Sequence, residues 1–290
     1  MEGLEFRAAT RADLPDMAHL FTKRPPEERQ ERMIRRYESE PNGWYVAVLH
    51  GRVVGCCQAV FPRDGDAWLQ WMRIDPEVQN SGVGGLFADY VEERAVERGA
   101  CALRLSTLST NGRVHYLMGG LRGYTEWARW TRLEGVKRKA VRGLDVRHDV
   151  QPAEDADEVM DWLVAQPGFH AAFGAVTCPT DFRKFVTLDG RLLSELIEAR
   201  GRRGCMVARA GDEMEAVALY AVSGGELRVL QVVAKSVDAG VAAVQGALLL
   251  GRKKERLSVQ VAGGKAEMVS ALAEVAGKRH DYYVFGKRVK

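Results

Sequence analysis

The sequence predicts an α/β (α+β) fold with a mixed central sheet, laid out as two successive halves. Three observations point there. Short segments with strand character alternate with segments of helical period along the whole chain. One glycine-rich loop, Gln79-Asn80-Ser81-Gly82-Val83-Gly84, joins a strand to an amphipathic helix, so a single β-loop-α crossover sits among hairpins. The element order of residues 44–135 then recurs in the second half, and 290 residues suit two domains better than one.

Taken in order, a strand lies near Glu5–Thr10. A helix follows, with Thr10 or Asp13 as N-cap and Leu14, Met17, Ala18 and Phe21 on one face. Pro25–Glu40 is a second helix, charged over most of its surface. Pro41-Asn42-Gly43 turns the chain into the strand WYVAVLH, and His50-Gly51-Arg52 folds VVGCCQAVF back as a hairpin. The strand Trp68–Ile74 leads into the glycine loop. Beyond the loop Val83, Leu86, Phe87, Tyr90, Val91 and Ala95 recur at helical spacing up to Gly99. The strand ALRLSTLS, a helix over Asn111–Leu121 and the strand TEWARWTRLEG complete residues 1–136 as a first domain.

The polar, basic stretch Lys137–Asp149 reads as a linker. A second domain over residues 150–290 holds helices at Ala153–Leu163 and Asp189–Ala199 and the strands CMVARA, EAVALYAV and ELRVLQVVA. A helix carrying Val241, Val244, Leu248 and Leu249 follows, then the strand LSVQVA, a helix over Lys265–Ala276 and the strand YYVFGKRV.

Composition sets bounds. With 42 basic and 39 acidic residues the net charge is +3, too balanced to suggest nucleic acid as a partner. No apolar run is long enough to span a bilayer and the N-terminus lacks a signal-peptide core, so no membrane partner and a cytoplasmic location are expected. Cys56, Cys57, Cys101, Cys178 and Cys205 form no CxxC pair, which speaks against zinc or disulfides; no metal is expected.

The run RIDPEVQNSGVGGLF carries the chemistry. Small residues let successive backbone amides approach an anion, and the helix start adds unpaired donors that suit a pyrophosphate. A nucleoside-triphosphate loop would end in Gly-Lys-Ser/Thr, whereas Gly84-Gly85-Leu86 stands here. A dinucleotide loop would follow the first strand of a βαβ repeat, and this strand follows a hairpin.

The loop and element order resemble the Gln/Arg-x-x-Gly-x-Gly/Ala motif of the GCN5-related N-acetyltransferase (GNAT) superfamily over roughly residues 4–135, supported by FRAATRADLPDM, WYVAVLHGRVVG and Gly123-Tyr124. The resemblance implies a GNAT fold, followed by a degenerate GNAT-like domain that lacks the loop. It implies acetyl-CoA as co-substrate, its pyrophosphate on the amides around Gln79, Asn80, Ser81, Gly82, Val83, Gly84 and Gly85. The pantetheine arm would run along Trp71–Ile74, where an amide near Met72 or Arg73, just before Ile74, polarises the thioester, with Asn111 beside the arm. An amine acceptor would attack directly.

The family pattern is incomplete. Many relatives place Glu eleven residues before the motif, where Trp68 stands between Asp66 and Gln70, and Tyr five residues before the aromatic of the Gly-Phe pair, where Gly119 stands. Asp66 is left as a candidate base, His115 as a relay and Tyr116 as thiolate acid, beside water-relayed proton exit and plain structural roles for all three. Strand alternation puts Trp68, Gln70 and Met72 on one face and Leu69, Trp71 and Arg73 on the other. The run WMRIDP and the long C-terminal extension resemble histidine N-acetyltransferase-like members, which implies a small amine such as an amino acid. A protein N-terminus or lysine, and a non-catalytic acyl-CoA-binding module, stand as alternatives. In the second half Gly240 stands alone, and that half could cover the acceptor pocket, complete the core sheet or mediate formation of a homodimer.

Overall fold

The computed structural model describes residues 2–21, 25–144, 147–171, 174–182, 184–199, 201–262 and 266–289, with Trp127 and Ala171 as backbone only. Lys265, expected to open a helix, and Asp145 and Val146 of the expected linker lie outside the described residues. The chain divides into two compact units, Met1–Leu105 with Lys287–Lys290, and Ser106–Gly286.

In the first unit the strands are β1 (Leu4–Ala8), β2 (Trp44–Leu49), β3 (Arg52–Arg63), β4 (Asp66–Ile74) and β5 (Ala102–Leu108), in that spatial order. Each neighbouring pair is antiparallel except β4 and β5, which are parallel and joined by helix α3 (Val83–Glu97). His50 and Gly51 both take positive φ, as the tight β2–β3 hairpin requires. Helices α1 (Leu14–His19) and α2 (Pro26–Ser39) seal one face, burying Leu14, Met17 and Met33 against Trp44, Val46 and Cys56. On α3, Phe87 stacks on Phe6 at 5.6 Å and Tyr90 meets Tyr45 edge-on at 5.8 Å.

Both candidate caps before α1 are used. Thr10 precedes a 3-10 turn over Arg11–Asp13 and forms a capping box with Asp13. The Arg7 guanidinium grips both Asp13 carboxylate oxygens at 2.7 and 2.8 Å, tying β1 to the helix start.

The second unit holds seven strands in the order β14-β6-β13-β12-β11-β10-β7. They are β6 (Thr125–Glu134), β7 (Asp149–Pro152), β10 (Arg203–Ala210), β11 (Glu213–Ser223), β12 (Glu226–Ala234), β13 (Arg256–Ala262) and β14 (Lys278–Arg288). A separate hairpin pairs β8 (Ala175–Thr177) with β9 (Phe185–Thr187). The helices are α4 (Gly112–His115), α5 (Arg138–Arg142), α6 (Ala156–Val164), α7 (Pro167–Ala171), α8 (Gly190–Glu198), α9 (Val237–Leu249) and α10 (Ala266–Ala273). The series β7-β10-β11-β12-β13 repeats the pattern of β1 to β5, antiparallel except for its last pair, which α9 connects in parallel. α9 buries Ala239, Val241, Val244 and Leu248 on one face of this sheet, and α6 and α8 bury Val159, Leu163, Leu193 and Leu196 on the other.

Two segments differ from the sequence reading. The stretch read as a linker contains α5, anchored by buried Val141, because one apolar residue in a basic run suffices to dock a short helix. The strand read as the end of the first domain, β6, pairs with β13 on one side and β14 on the other.

The Arg7 pair holds the Asp13 carboxyl well below the usual range, at about 2, with the Thr10 amide and hydroxyl assisting against burial. A carboxylate with a depressed folded pKa contributes stability above its unfolded value, 3.8, and loses it as pH falls through about 2. Solvent screening reduces the expected contribution to about 1–2 kcal/mol. Asp13→Asn should therefore lower stability by about that amount at pH 7, and the gap to the parent should close between pH 4 and pH 2 in urea titrations.

Candidate functional site

Strand β4 carries one residue more than its partner. Gln70 stands opposite Gln58 and Arg73 opposite Cys56, so three steps on β4 match two on β3. Trp71 absorbs the difference at φ 60, in the left-handed region. Residues directly opposite in an antiparallel pair share a face, so Gln70 and Arg73 point to the α1–α2 side. Met72 then falls with Ile74 on the α3 side, where Ile74 lies beside Gly84. This corrects the simple alternation expected from sequence, which grouped Met72 with Gln70.

The bulge coincides with a parting of strands. β5 pairs with β4 only over Asp66–Trp68, opposite Ala102–Arg104. From Leu69 to Ile74 the outer edge of β4 has no β5 partner, leaving main-chain groups available to an extended ligand.

The glycine loop follows at once. Asp75 caps the turn Pro76–Val78 by accepting from the Glu77 amide at 3.0 Å. The Gln79 side chain donates back to the Ile74 carbonyl at 2.9 Å, and Ser81 Oγ donates to the Val78 carbonyl at 2.7 Å. These bonds fix the loop, while Asn80 at φ 66 and Gly82 at φ 91 turn it into α3. Among the described residues, no hydrogen-bond acceptor is seen for the amides of Ser81, Gly82, Val83 and Gly84. A methyl group at Gly85 would meet no atom within 4 Å. Unpaired amides at the start of a 15-residue helix, with open space beside them, form an anion cradle.

The candidate proton carriers are placed as follows. Asp66 is buried and ion-paired with buried Arg104, roughly 17 Å back along β4 from Trp71 at the usual strand rise. Desolvation lowers the Arg104 pKa against the pull of Asp66. That pair locks the paired end of β4 to β5. Asn111, His115 and Tyr116 belong to the second unit. Asn111 Nδ2 donates to Thr107 Oγ1 at 3.0 Å, and its carbonyl accepts from Val114 and His115 at the start of α4. His115 Nε2 lies 3.2 Å from the Leu108 carbonyl, so that nitrogen carries the proton and Nδ1 is the basic one. Its ring meets Tyr283 and Phe285 edge-on at 4.5 and 5.3 Å. Tyr116 is exposed and opens a π-helical stretch, Tyr116–Leu121. That wider turn is why residues cannot be counted back from Tyr124 at α-helical spacing.

Sequence reasoning missed the cluster around Trp71. The Arg36 guanidinium lies 3.5 Å from the Trp71 ring centre, Phe21 packs edge-on at 6.4 Å, and Arg73 lies 5.2 Å from the Phe21 ring. The signal available was the aromatic Phe21 just after one helix and Arg36 in the last turn of the next.

Residues 14–121 match the pattern of the Acetyltransferase (GNAT) family. Over that span the chain is similar to this family of acetyltransferases. Similar solved structures include a GCN5-related N-acetyltransferase from Sphaerobacter thermophilus, 15% identical with TM-score 0.58 over 99% of this chain and 96% of that one. A putative acetyltransferase from Thermoplasma acidophilum is 13% identical with TM-score 0.56, covering 98% and 100%. Another from Pyrococcus horikoshii is 18% identical with TM-score 0.51, covering 100% and 91%. At these identities the likeness shows a shared fold. No curated protein sequence matches the chain.

The second unit repeats the frame with a different helix start. Between β11 and β12 the register skips one residue, Leu230, and β12 pairs with β13 only over Glu226–Val229. The start of α9, however, is capped by Ser236, whose side chain accepts from the Ala239 amide at 3.2 Å. A Cβ at Gly240 would meet Met268 Cε at 2.5 Å, so this glycine serves helix packing. Among the described residues no group of three or more His, Cys, Asp or Glu could hold a metal, and no helix is long and apolar enough to cross a membrane.

Gly85→Glu separates folding from binding. Replacing glycine in the first turn by a carboxylate should hold or raise the melting temperature, through helix propensity and the dipole. The same charge should weaken CoA binding at least tenfold, read by calorimetry.

Proposed function

We propose that this chain transfers the acetyl group of acetyl-CoA to a primary amine of a small molecule by direct attack. The observation that carries the reading is the conjunction of an open strand edge, a bulge and an anion cradle within one stretch, Leu69–Gly85. The amides of Ser81 to Gly84, with Gln79 and Asn80 shaping the loop and Gly85 leaving room, suit the pyrophosphate. The edge of Met72–Ile74 suits the amide-bearing pantetheine arm. An amide at Met72 or Arg73 supplies the donor that stabilises charge on the thioester oxygen. Acetyl-CoA contributes the activated acyl carbon; the chain orients it and leaves the attacking amine to arrive from the Gln70–Arg73 face.

Direct attack fits the cysteines. Cys56, opposite the bulge, is fully buried, and burial pushes its thiol pKa up; Cys57 is pushed up to about 12. Neither offers a thiolate to carry the acetyl group. Asp66, held by Arg104, serves the strand pair, so water is left to take the proton of the attacking amine. The second unit, without the glycine-rich motif and with Ser236 capping its helix, reads as a GNAT-like domain that binds no CoA. The small acceptor follows from the resemblance to amino-acid acetyltransferases rather than from the cradle.

Thiol release from acetyl-CoA across amines, amino acids and peptides is the direct test. Turnover should show intersecting initial-rate lines, as a ternary complex requires, and alkylation of exposed Cys101 should leave it intact. A ping-pong pattern would exclude direct attack. CoA binding without turnover on any acceptor would favour a binding module.

A further inference from the structure

We propose that one end of the second unit docks on an anionic lipid bilayer, its lysines and arginines meeting headgroups and two leucines entering the surface. This is independent of the acetyltransferase reading.

A net charge of +3 hides an uneven distribution. Lys137–Arg142, Arg252–Arg256 and Lys278–Arg279 hold ten Lys and Arg against a single acid, Glu255, so the rest of the chain is net acidic. The fold gathers these segments. β6 ends at Glu134, where its antiparallel neighbours β13 and β14 begin at Arg256 and Lys278. β12, parallel to β13, begins beside it at Glu226. Four adjacent strands thus meet one end of the sheet, over a width of about 14 Å. Main-chain bonds fasten the connections there. The Val136 amide donates to the Leu257 carbonyl at 3.1 Å, Lys137 to Val275 at 2.9 Å, and Gly277 to Glu134 at 2.9 Å. From α5, Arg138 Nη2 donates to the Arg252 carbonyl at 2.7 Å, which ties the turn after α9 to the same end.

The cations there face water. Lys137, Lys139, Arg142, Lys253, Lys254 and Lys278 are exposed, and among the described residues no ion pair is seen for them. The acids at this end are mostly engaged. Glu134, Glu226 and Glu255 are partly buried and pair with Arg132, Arg228 and Arg202, while Glu274 beyond α10 stays exposed. Cations concentrated in this way raise the local potential and draw an anionic partner.

Two leucines discriminate among anionic partners. Leu249 and Leu250 close α9 directly before the basic turn and are 42% and 44% exposed, whereas most of α9 is buried. A hydrated nucleic-acid backbone gains nothing from them, and the three basic segments carry no aromatic on which a base could stack. A bilayer uses both features: acidic headgroups attract the cations, and apolar side chains beside them enter the interface. The spread across four strand ends also suits a broad surface better than a peptide, which needs a groove or a free strand edge. Among the described residues no helix is long and apolar enough to cross a membrane, and a surface contact needs none.

The test sediments the full chain with vesicles of phosphatidylcholine alone and of phosphatidylcholine mixed two to one with phosphatidylserine. At about 0.1 M salt, where charges act over about 10 Å, partition onto the anionic vesicles should be at least about tenfold stronger. Raising the salt should weaken it. Lys253→Glu with Lys254→Glu should lower that partition at least about tenfold, and Leu249→Ser with Leu250→Ser at least about threefold. All four side chains are exposed, so circular dichroism should match the parent; if a variant unfolds, the parent's lipid preference decides alone. Equal partition onto both vesicles, or none, overturns the proposal. So does a folded leucine variant that binds anionic vesicles as the parent does. Tighter binding to duplex RNA or to polyglutamate than to the vesicles would assign the face to that partner and overturn it as well.

Discussion

Trp71 cannot relax. A tryptophan in the left-handed region costs roughly 1–2 kcal/mol relative to an extended conformation, and it persists only where surrounding contacts over-determine it. Here those contacts are Phe21 and the Arg36 guanidinium on the ring and the unequal register between Cys56 and Gln58. The rest of the donor site depends on that one residue. The bulge reverses which residues face the helices, lies where β4 loses β5, and sets Ile74 beside Gly84 so that the glycine loop begins where the open edge ends. At the other end of β4, Asp66 and Arg104 clamp the strands together. A closed end and an open end on one strand give a wedge, and the wedge is what an extended thioester needs.

Much of this was legible beforehand. Apolar runs bounded by turn residues located β2, β3, β10, β11 and β12, which are buried on both faces, and helical spacing located α3 and α9. The loop was legible because its chemistry is local: small residues, a capped turn and a helix start are all adjacent in sequence. What failed was non-local or too short. Strands of three residues, β8 and β9, are below the length at which alternation can be seen. Asp66 looked like a base because Arg104 reaches it only through the parallel crossover, with α3 intervening. The faces of Met72 and Arg73 were inverted because a bulge has no signature in a run as apolar as WLQWMRI. The helix at Asn111–Leu121 formed, but its π-helical half shifted every count made through it.

The second unit shows which parts of the frame are architecture and which are chemistry. It retains a skipped residue in β12 and a short parallel contact between β12 and β13. Its helix start differs in that the Ser236 side chain accepts from the Ala239 amide, whereas α3 opens on Gly82 with no side-chain cap. Gly240 has been absorbed into packing against Met268, whereas Gly85 faces open space. The bulge and the short contact therefore follow from building this sheet at all. The glycine-rich approach to the helix does not: it stands after β4, where Gly82 takes φ 91 and a Cβ at Gly85 would meet no atom within 4 Å.

One connection has a practical meaning. β6 follows directly from the segment that matches the family, yet it lies between β13 and β14, hydrogen-bonded along both edges. A gene fragment ended after Glu134 would export this strand without either neighbour. It would also part β14 from β13 in the complementary fragment, exposing two fresh edges of the kind that recruit other chains. Trp130 and Leu133, buried in the intact chain, would go into solvent with it. The two halves of the sequence are thus not separable parts. The chain cannot be divided at the point where its sequence pattern changes without splitting this sheet.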